Sequence, residues 1–153
     1  MPGTRRLPSR HELAMWREFI EATELLRTAV AARLQDDAGL SMGDYTVLLA
    51  LTEAERGRYR SSDLAAAIGW ERSRLSHHLG RMERRGLIRR EHCTEDSRGS
   101  EIVIEPAGEQ AFRAATAPHL QAVRELFVNA LTPEQVTAAG EMAAALRRHL
   151  SAG

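Results

Sequence analysis

The chain contains no lysine; all 21 of its basic side chains, histidine aside, are arginine. Arginine suits bidentate contacts to phosphate and guanine. Arginines also fill the acidic stretches, however, so a GC-rich coding sequence explains the bias better than function does. Cysteine is almost absent. The single thiol, Cys93, excludes an internal disulfide and any all-cysteine metal site. Aromatic residues are scarce, at three Phe, two Trp and two Tyr. Those few rings need to be buried somewhere, and a large interface with another chain would do so. No apolar run approaches the roughly 18 residues needed to cross a bilayer, so no membrane contact is expected. The opening MPGTRRLPSRHEL lacks an apolar core after its arginines and does not read as a signal peptide, which points to a cytoplasmic location. No nucleophile–base–orienter set, phosphate loop, dinucleotide fingerprint or carboxylate cluster is visible, so neither an enzyme nor a cofactor or metal is expected. Net charge is zero, which at first argues against a nucleic-acid partner.

The distribution of charge reverses that argument. Residues 55–100 hold eleven arginines against seven acids, with three of the six histidines, and the remainder is therefore net acidic. The basic excess surrounds RSSDLAAAIGWERSRLSHHLGRMERRGLIRR, residues 60–90, which reads as two short helices and a tight turn. Ser61 or Ser62 is placed to cap the first helix, with Leu64, Ala65 and Ile68 on its inner stripe. Gly69 ends it, and Trp70 anchors the start of the second. Leu75, Leu79, Met82 and the stem of Arg85 line the inner face of that second helix. Arg72, Ser73, Arg74, Ser76, His77, His78 and Arg81 fill the other face with hydrogen-bond donors. This is the helix-turn-helix arrangement for reading a DNA major groove.

The flanks are ordered simply. Ser9 and Glu12 form a capping box for a helix over 9–36, whose stripe (Leu13, Trp16, Ile20, Thr23, Leu26, Val30, Leu34, widened by Phe19 and Leu25) is too broad for one neighbour. Ser41 to Asp44 caps a helix running to Ala54, and Glu55 to Arg60 is a polar connector. After Gly86 the pattern becomes extended: Leu87–Cys93 and Glu101–Glu105 predict a hairpin with a charged tip carrying Asp96 and Arg98. Pro106 opens a helix over 107–131 that Pro118 should kink or interrupt. Thr132 to Gln135 is a second capping box, for a helix ending near Leu150.

With those residues in place, the chain resembles the MarR family of bacterial transcription regulators over residues 10–150. The most specific parts are LAAAIGWERSRLSHHLGRMERRGLI (64–88) and DSRGSEIVIEPAG (96–108), with the wing's Asp-x-Arg signature at Asp96-Ser97-Arg98 and a helix-start glycine at Gly108. Two features depart from the pattern: Ile104-Glu105 replaces the frequent Leu-Thr, and Ser73-Arg74-Leu75-Ser76-His77-His78 replaces a more common small-residue version. The resemblance implies a mainly α fold with a small β-hairpin wing, in one domain over 1–153. Residues 41–105 would form the winged helix-turn-helix lobe, and 9–36 and 107–150 the dimerisation helices. It further implies a homodimeric, ligand-responsive repressor on a pseudo-palindromic double-stranded operator.

Within that reading Arg74, Ser76, His77, His78 and Arg81 address base edges, against the plainer reading of a solvated helix face. Arg60, Ser61, Arg72 and Ser73 address phosphates. Arg98 enters the minor groove and Asp96 orients it, against the alternative of a loop salt bridge. His77 and His78 point about 100° apart and make a poor metal pair. The family's effector crevice would fall at His11, Met15, Trp16, Phe19, Tyr45 and Leu49, all of which also fit core packing. Two rival readings stand beside this one: a redox-responsive regulator using Cys93, and a winged helix that contacts only proteins.

Overall fold

The computed structural model describes residues 6–92 and 99–152, in the order α1 (Arg10–Ala38), α2 (Met42–Glu53), β1 (Arg58–Arg60), α3 (Ser61–Ile68), α4 (Arg72–Arg84), β2 (Ile88–His92), β3 (Ser100–Ile104), α5 (Pro106–Leu126), a 3-10 turn (Val128–Ala130) and α6 (Pro133–Ser151). Cys93, Asp96 and Arg98, and with them the wing tip, lie outside the described residues. The chain divides into two compact units: residues 33–122, and the two ends of the chain, 1–32 with 123–153.

The central unit is built on one apolar core. Val47, Leu48 and Leu51 of α2, Leu64 of α3, Leu75 and Met82 of α4, and Ile102 of β3 are all completely enclosed. Its sheet is antiparallel and three-stranded, in the order β1-β3-β2. The hairpin pairs Ile88 with Ile104 and His92 with Ser100. The segment expected to be a polar connector contributes the third strand, with Tyr59 opposite Ile102 and Arg60 opposite Glu101. A strand of three residues has too few alternations to register as a period, and only Tyr59 of the three packs against the core. This strand also corrects the cap. Arg60 remains extended as N-cap of α3 with no side-chain capping bond, and Ser61 is the first helical residue. Because β1 runs straight into the helix, no serine is left in the capping position.

Gly69 ends α3 in the left-handed region, φ 68°, and the Trp70 N–H donates back to the Ala65 carbonyl at 2.9 Å. That closure keeps Trp70 in the turn, so α4 starts two residues later than expected. Gly108 is buried for a different reason. A Cβ built there would stand 2.1 Å from the Leu87 carbonyl oxygen, so only glycine lets the first turn of α5 pass the end of α4. Pro118 does not interrupt α5, which continues to Leu126, short of the expected 131.

In the terminal unit both capping boxes form. The Ser9 N–H donates to Glu12 Oε2 at 2.6 Å and the Glu12 N–H to Ser9 Oγ at 3.2 Å, while Thr132 and Gln135 exchange the same pair of bonds. The exposed Glu12 carboxyl is held below its usual range, first by the Ser9 backbone N–H. No described residue of this unit is buried. Trp16, Leu25 and Leu150 are 61%, 72% and 77% exposed, and α6 encloses none of its side chains.

Candidate nucleic-acid interface

Helix α4 separates its residues cleanly. Leu75, His78, Leu79 and Met82 are buried, while Arg72, Ser73, Arg74, Ser76, His77, Arg81 and Arg84 are exposed. Leucine at 75 and 79 with methionine at 82 is the spacing of an inner stripe, and position 78 completes it. The N-cap, Glu71, makes no side-chain capping bond, so the first-turn N–H groups remain available to an anion. Arg60 is exposed and Ser61 half-buried at the junction of β1 and α3.

One expected contact residue is placed otherwise. His78 is not on the outer face. It is 9% exposed and its Nε2 lies 2.9 Å from Asp44 Oδ1 of α2. Histidine is polar and by polarity alone faces outward, but a histidine with a buried carboxylate partner belongs inside.

Asp44 is the centre of this arrangement and is itself buried, at 3% exposure. Its Oδ2 accepts from Arg85 Nη1 at 2.6 Å and from the Ser41 N–H at 3.1 Å, and its own N–H donates to Ser41 Oγ at 3.0 Å. Burial alone would raise the Asp44 carboxyl, but the bonds from His78, Arg85 and Ser41 outweigh it and hold the group well below the usual carboxylate range. On its other side His78 accepts from Arg81, Nδ1 to Nη2 at 3.1 Å. The Trp70 ring meets His78 edge-on at 5.3 Å and carries the Arg74 guanidinium 4.1 Å above its face. Gly43 makes room, since a Cβ there would stand 2.7 Å from His78 Cε1 and 3.0 Å from the Trp70 ring.

Asp44 was legible in the sequence only as a capping residue, Arg85 only as an apolar stem, and Gly43 and Arg90 as nothing in particular. Arg90 of β2 donates from Nη2 to the Ser76 carbonyl at 2.7 Å, and its N–H to Glu83 Oε1 at 3.1 Å, tying the base of the wing to α4. On the outer face of the sheet, Glu91 stands opposite Glu101. Two carboxylates there would repel, and Arg58 Nη1 lies between them at 3.5 and 2.9 Å. Arg89, bonded to Glu105 at 2.8 Å and to Glu91 at 2.6 Å, is raised above its ordinary value chiefly by those hydrogen bonds.

The expected effector residues fall in both units. His11, Met15 and Trp16 are exposed on α1, Phe19 is half-buried there, and Leu49 is half-buried on α2. Tyr45 is buried against Phe112 and His119, with ring centroids at 5.2 and 4.5 Å. A groove of about 560 Å³ along the start of α1 is lined by Leu7, Pro8, Glu12, Leu13 and Trp16. A second hollow of about 390 Å³, between Arg56, Phe112 and Arg113, contains none of the expected residues. Among the described residues no cluster of His, Cys, Asp and Glu could hold a metal ion, and no helix is long and apolar enough to cross a membrane.

Known proteins share this architecture. The MarR family model matches residues 40–100. AbsC, a MarR family transcriptional regulator from Streptomyces coelicolor, is 36% identical with a TM-score of 0.87, over 97% of this chain and 99% of that one. Sco3205, a MarR family transcriptional regulator from the same organism solved in complex with DNA, is 36% identical with a TM-score of 0.88, over 95% and 91%. BpsR of Bordetella bronchiseptica, whose DNA binding is regulated by 6-hydroxynicotinic acid, has the same fold at 17% identity, with a TM-score of 0.75 over 88% and 98%. No curated protein matches the sequence.

Proposed function

The chain belongs to the MarR family of transcriptional regulators, and on that premise we propose that it binds a pseudo-palindromic operator in double-stranded DNA as a homodimer and acts as a ligand-responsive repressor. The observation that carries this reading is the division of α4 into an apolar inner stripe and an outer face of exposed Arg72, Ser73, Arg74, Ser76, His77 and Arg81. Sco3205, at 36% identity, was solved on DNA. Arg74, Ser76, His77 and Arg81 would meet base edges, and Arg60, Ser61, Arg72 and Ser73 phosphates. His78, buried against Asp44, would not be among them. Arg98, oriented by Asp96, would enter the minor groove.

The dimer is supported by the terminal unit. Its two segments, 1–32 and 123–153, carry apolar side chains such as Trp16, Leu25 and Leu150, yet none of the unit's described residues is buried. A second copy could cover them, and a homodimer on a pseudo-palindromic site would read half-sites about one helical turn apart, roughly 34 Å. The effector is proposed as a small aromatic or anionic molecule, with Trp16 in its open groove as the first residue to test. It would act by binding two dimer geometries with different affinity. The test is selection of bound duplexes from a random pool, followed by mobility shifts at controlled salt. Arg74→Ala should weaken the selected site more than random DNA, and Arg98→Ala should weaken both. Wild-type binding by both variants would refute the reading.

A further inference from the structure

We propose that Asp44 and His78 are positioning residues for DNA recognition, a step that rests on the DNA-binding reading above. Through the His78 ring the Asp44 carboxylate holds the Arg81 guanidinium. Through Trp70, packed on that same ring, the cluster holds the guanidinium of Arg74. These two arginines of the outer face would then meet DNA already restrained.

The hydrogen-bond chemistry fixes the arrangement. A guanidinium only donates, so His78 Nδ1, 3.1 Å from Arg81 Nη2, presents its lone pair. The ring hydrogen is therefore on Nε2, donated to Asp44 Oδ1 at 2.9 Å. The carboxylate cannot swing away, because Ser41 and Arg85 hold its other oxygen at 3.1 and 2.6 Å. His78 and Arg85 are two turns apart on one side of α4. The helix is thus pinned at two heights by directional bonds, whereas apolar contacts alone leave its roll less defined. That roll decides which of Arg74, Ser76 and His77 point outward.

Stability does not require this cluster, since well-packed apolar residues of similar volume commonly serve as well as a buried charge pair. Two further features fit an orienting role. Gly43 leaves the space into which the His78 and Trp70 rings fit. The Trp70 ring presents its edge to His78 at an interplanar angle of 86° and its face to Arg74. Long side chains that must be ordered on binding reduce affinity, so arginines restrained beforehand bind more tightly.

The experiment measures affinity at fixed salt for a short duplex recovered by selection from a random pool, with thermal unfolding to confirm that each variant is folded. His78→Leu should weaken binding about tenfold, the scale of one long side chain ordered late. Arg81→Ala should weaken the wild type and cost clearly less in the His78→Leu background, where the arginine has already lost its restraint. Arg72→Ala, outside the cluster, should weaken both backgrounds by the same factor. His78→Gln, which offers an amide donor toward Asp44 and a carbonyl acceptor toward Arg81, should stay within about threefold of wild type on the same scale. If the leucine variant does not fold, His78→Asn, too short to reach both partners, takes its place in the cycle. Full multiplicative losses for Arg81→Ala and His78→Leu would overturn the proposal, as would a folded His78→Gln binding as weakly as His78→Leu. Wild-type affinity in both Arg81→Ala and Arg72→Ala would instead overturn the DNA reading, and this proposal with it.

Discussion

Replacing Asp44 by asparagine keeps the shape of the side chain and removes one acceptor. The carboxylate, 4% exposed, takes hydrogen bonds from His78, Arg85 and the Ser41 N–H. An amide offers one oxygen, and its NH₂ must then face a donor. Either flip leaves a buried group unpaired. An unpaired buried donor costs about 1–3 kcal/mol, and breaking a buried ion pair about 3–5 kcal/mol. The Arg85 side chain is 45% exposed and rehydrates, so the buried-pair figure does not apply and the cost stays in the upper part of the first range, about 2–3 kcal/mol. For a chain of this length that lowers Tm by about 4–12 °C.

The pH dependence gives an independent check. The folded carboxyl is depressed below the ordinary aspartate value of 3.8. Its contribution is therefore complete above the unfolded value and is lost as pH falls from about 4 toward the depressed folded one. Wild type should lose stability faster than Asp44→Asn across that window, so the two curves converge in acid. The assay is calorimetry at fixed protein concentration, because the Tm of the proposed dimer would depend on it. A neutral-pH Tm within about 1 °C of wild type, far inside the shift that Asp44's bonds imply, with parallel curves in acid, would refute the reasoning.

Gly108→Ala should lower Tm by on the order of 5–10 °C, because its Cβ would meet backbone rather than a movable side chain, the costly end of overpacking; unchanged melting would show that the start of α5 has slack. Leu146→Glu, at a 43% exposed position on α6, should shift the mass seen by light scattering from dimer to monomer, since it puts an unpaired charge into the covered face; an intact dimer would remove α6 from the interface. His119 is lowered by burial below its ordinary 6.5, so as pH falls below about 6.5 the unfolded chain takes the proton first and the fold loses stability. His119→Phe should therefore flatten the stability curve between about pH 6.5 and 5, and an identical slope would mean the ring is hydrated.

The fold was legible where local chemistry determines structure. Both outer capping boxes, the glycine stop at Gly69 and the β-branched second strand of the hairpin follow from neighbours within a few residues. What escaped depends on partners far along the chain. Strand β1 exists because β3, more than forty residues later, accepts it; alone, Arg58-Tyr59-Arg60 has no periodicity to detect. Gly108 stood out by resemblance, and its reason, the Leu87 carbonyl, lies across the junction of α4 and the sheet.

The recognition helix shows the same limit at a single residue. His77 and His78 are adjacent and chemically identical, and one faces outward while the other is buried. Helical spacing alone separates them, because 78 continues the stripe of 75, 79 and 82. Polarity alone puts both outward, whereas position puts only His77 there. A buried histidine is tolerated only with a partner, and the partner's sequence position, Asp44, carries a second and more visible role as a helix cap. A residue that satisfies one local rule draws no further attention, yet a cap's carboxylate has two oxygens and four lone-pair sites. The Ser41 N–H takes one. The remainder are free to bond whatever packs on the helix start, and here that is α4, through His78 and Arg85. The cap of α2 and the anchor of α4 are therefore the same group, so a change that weakens one must be felt at the other.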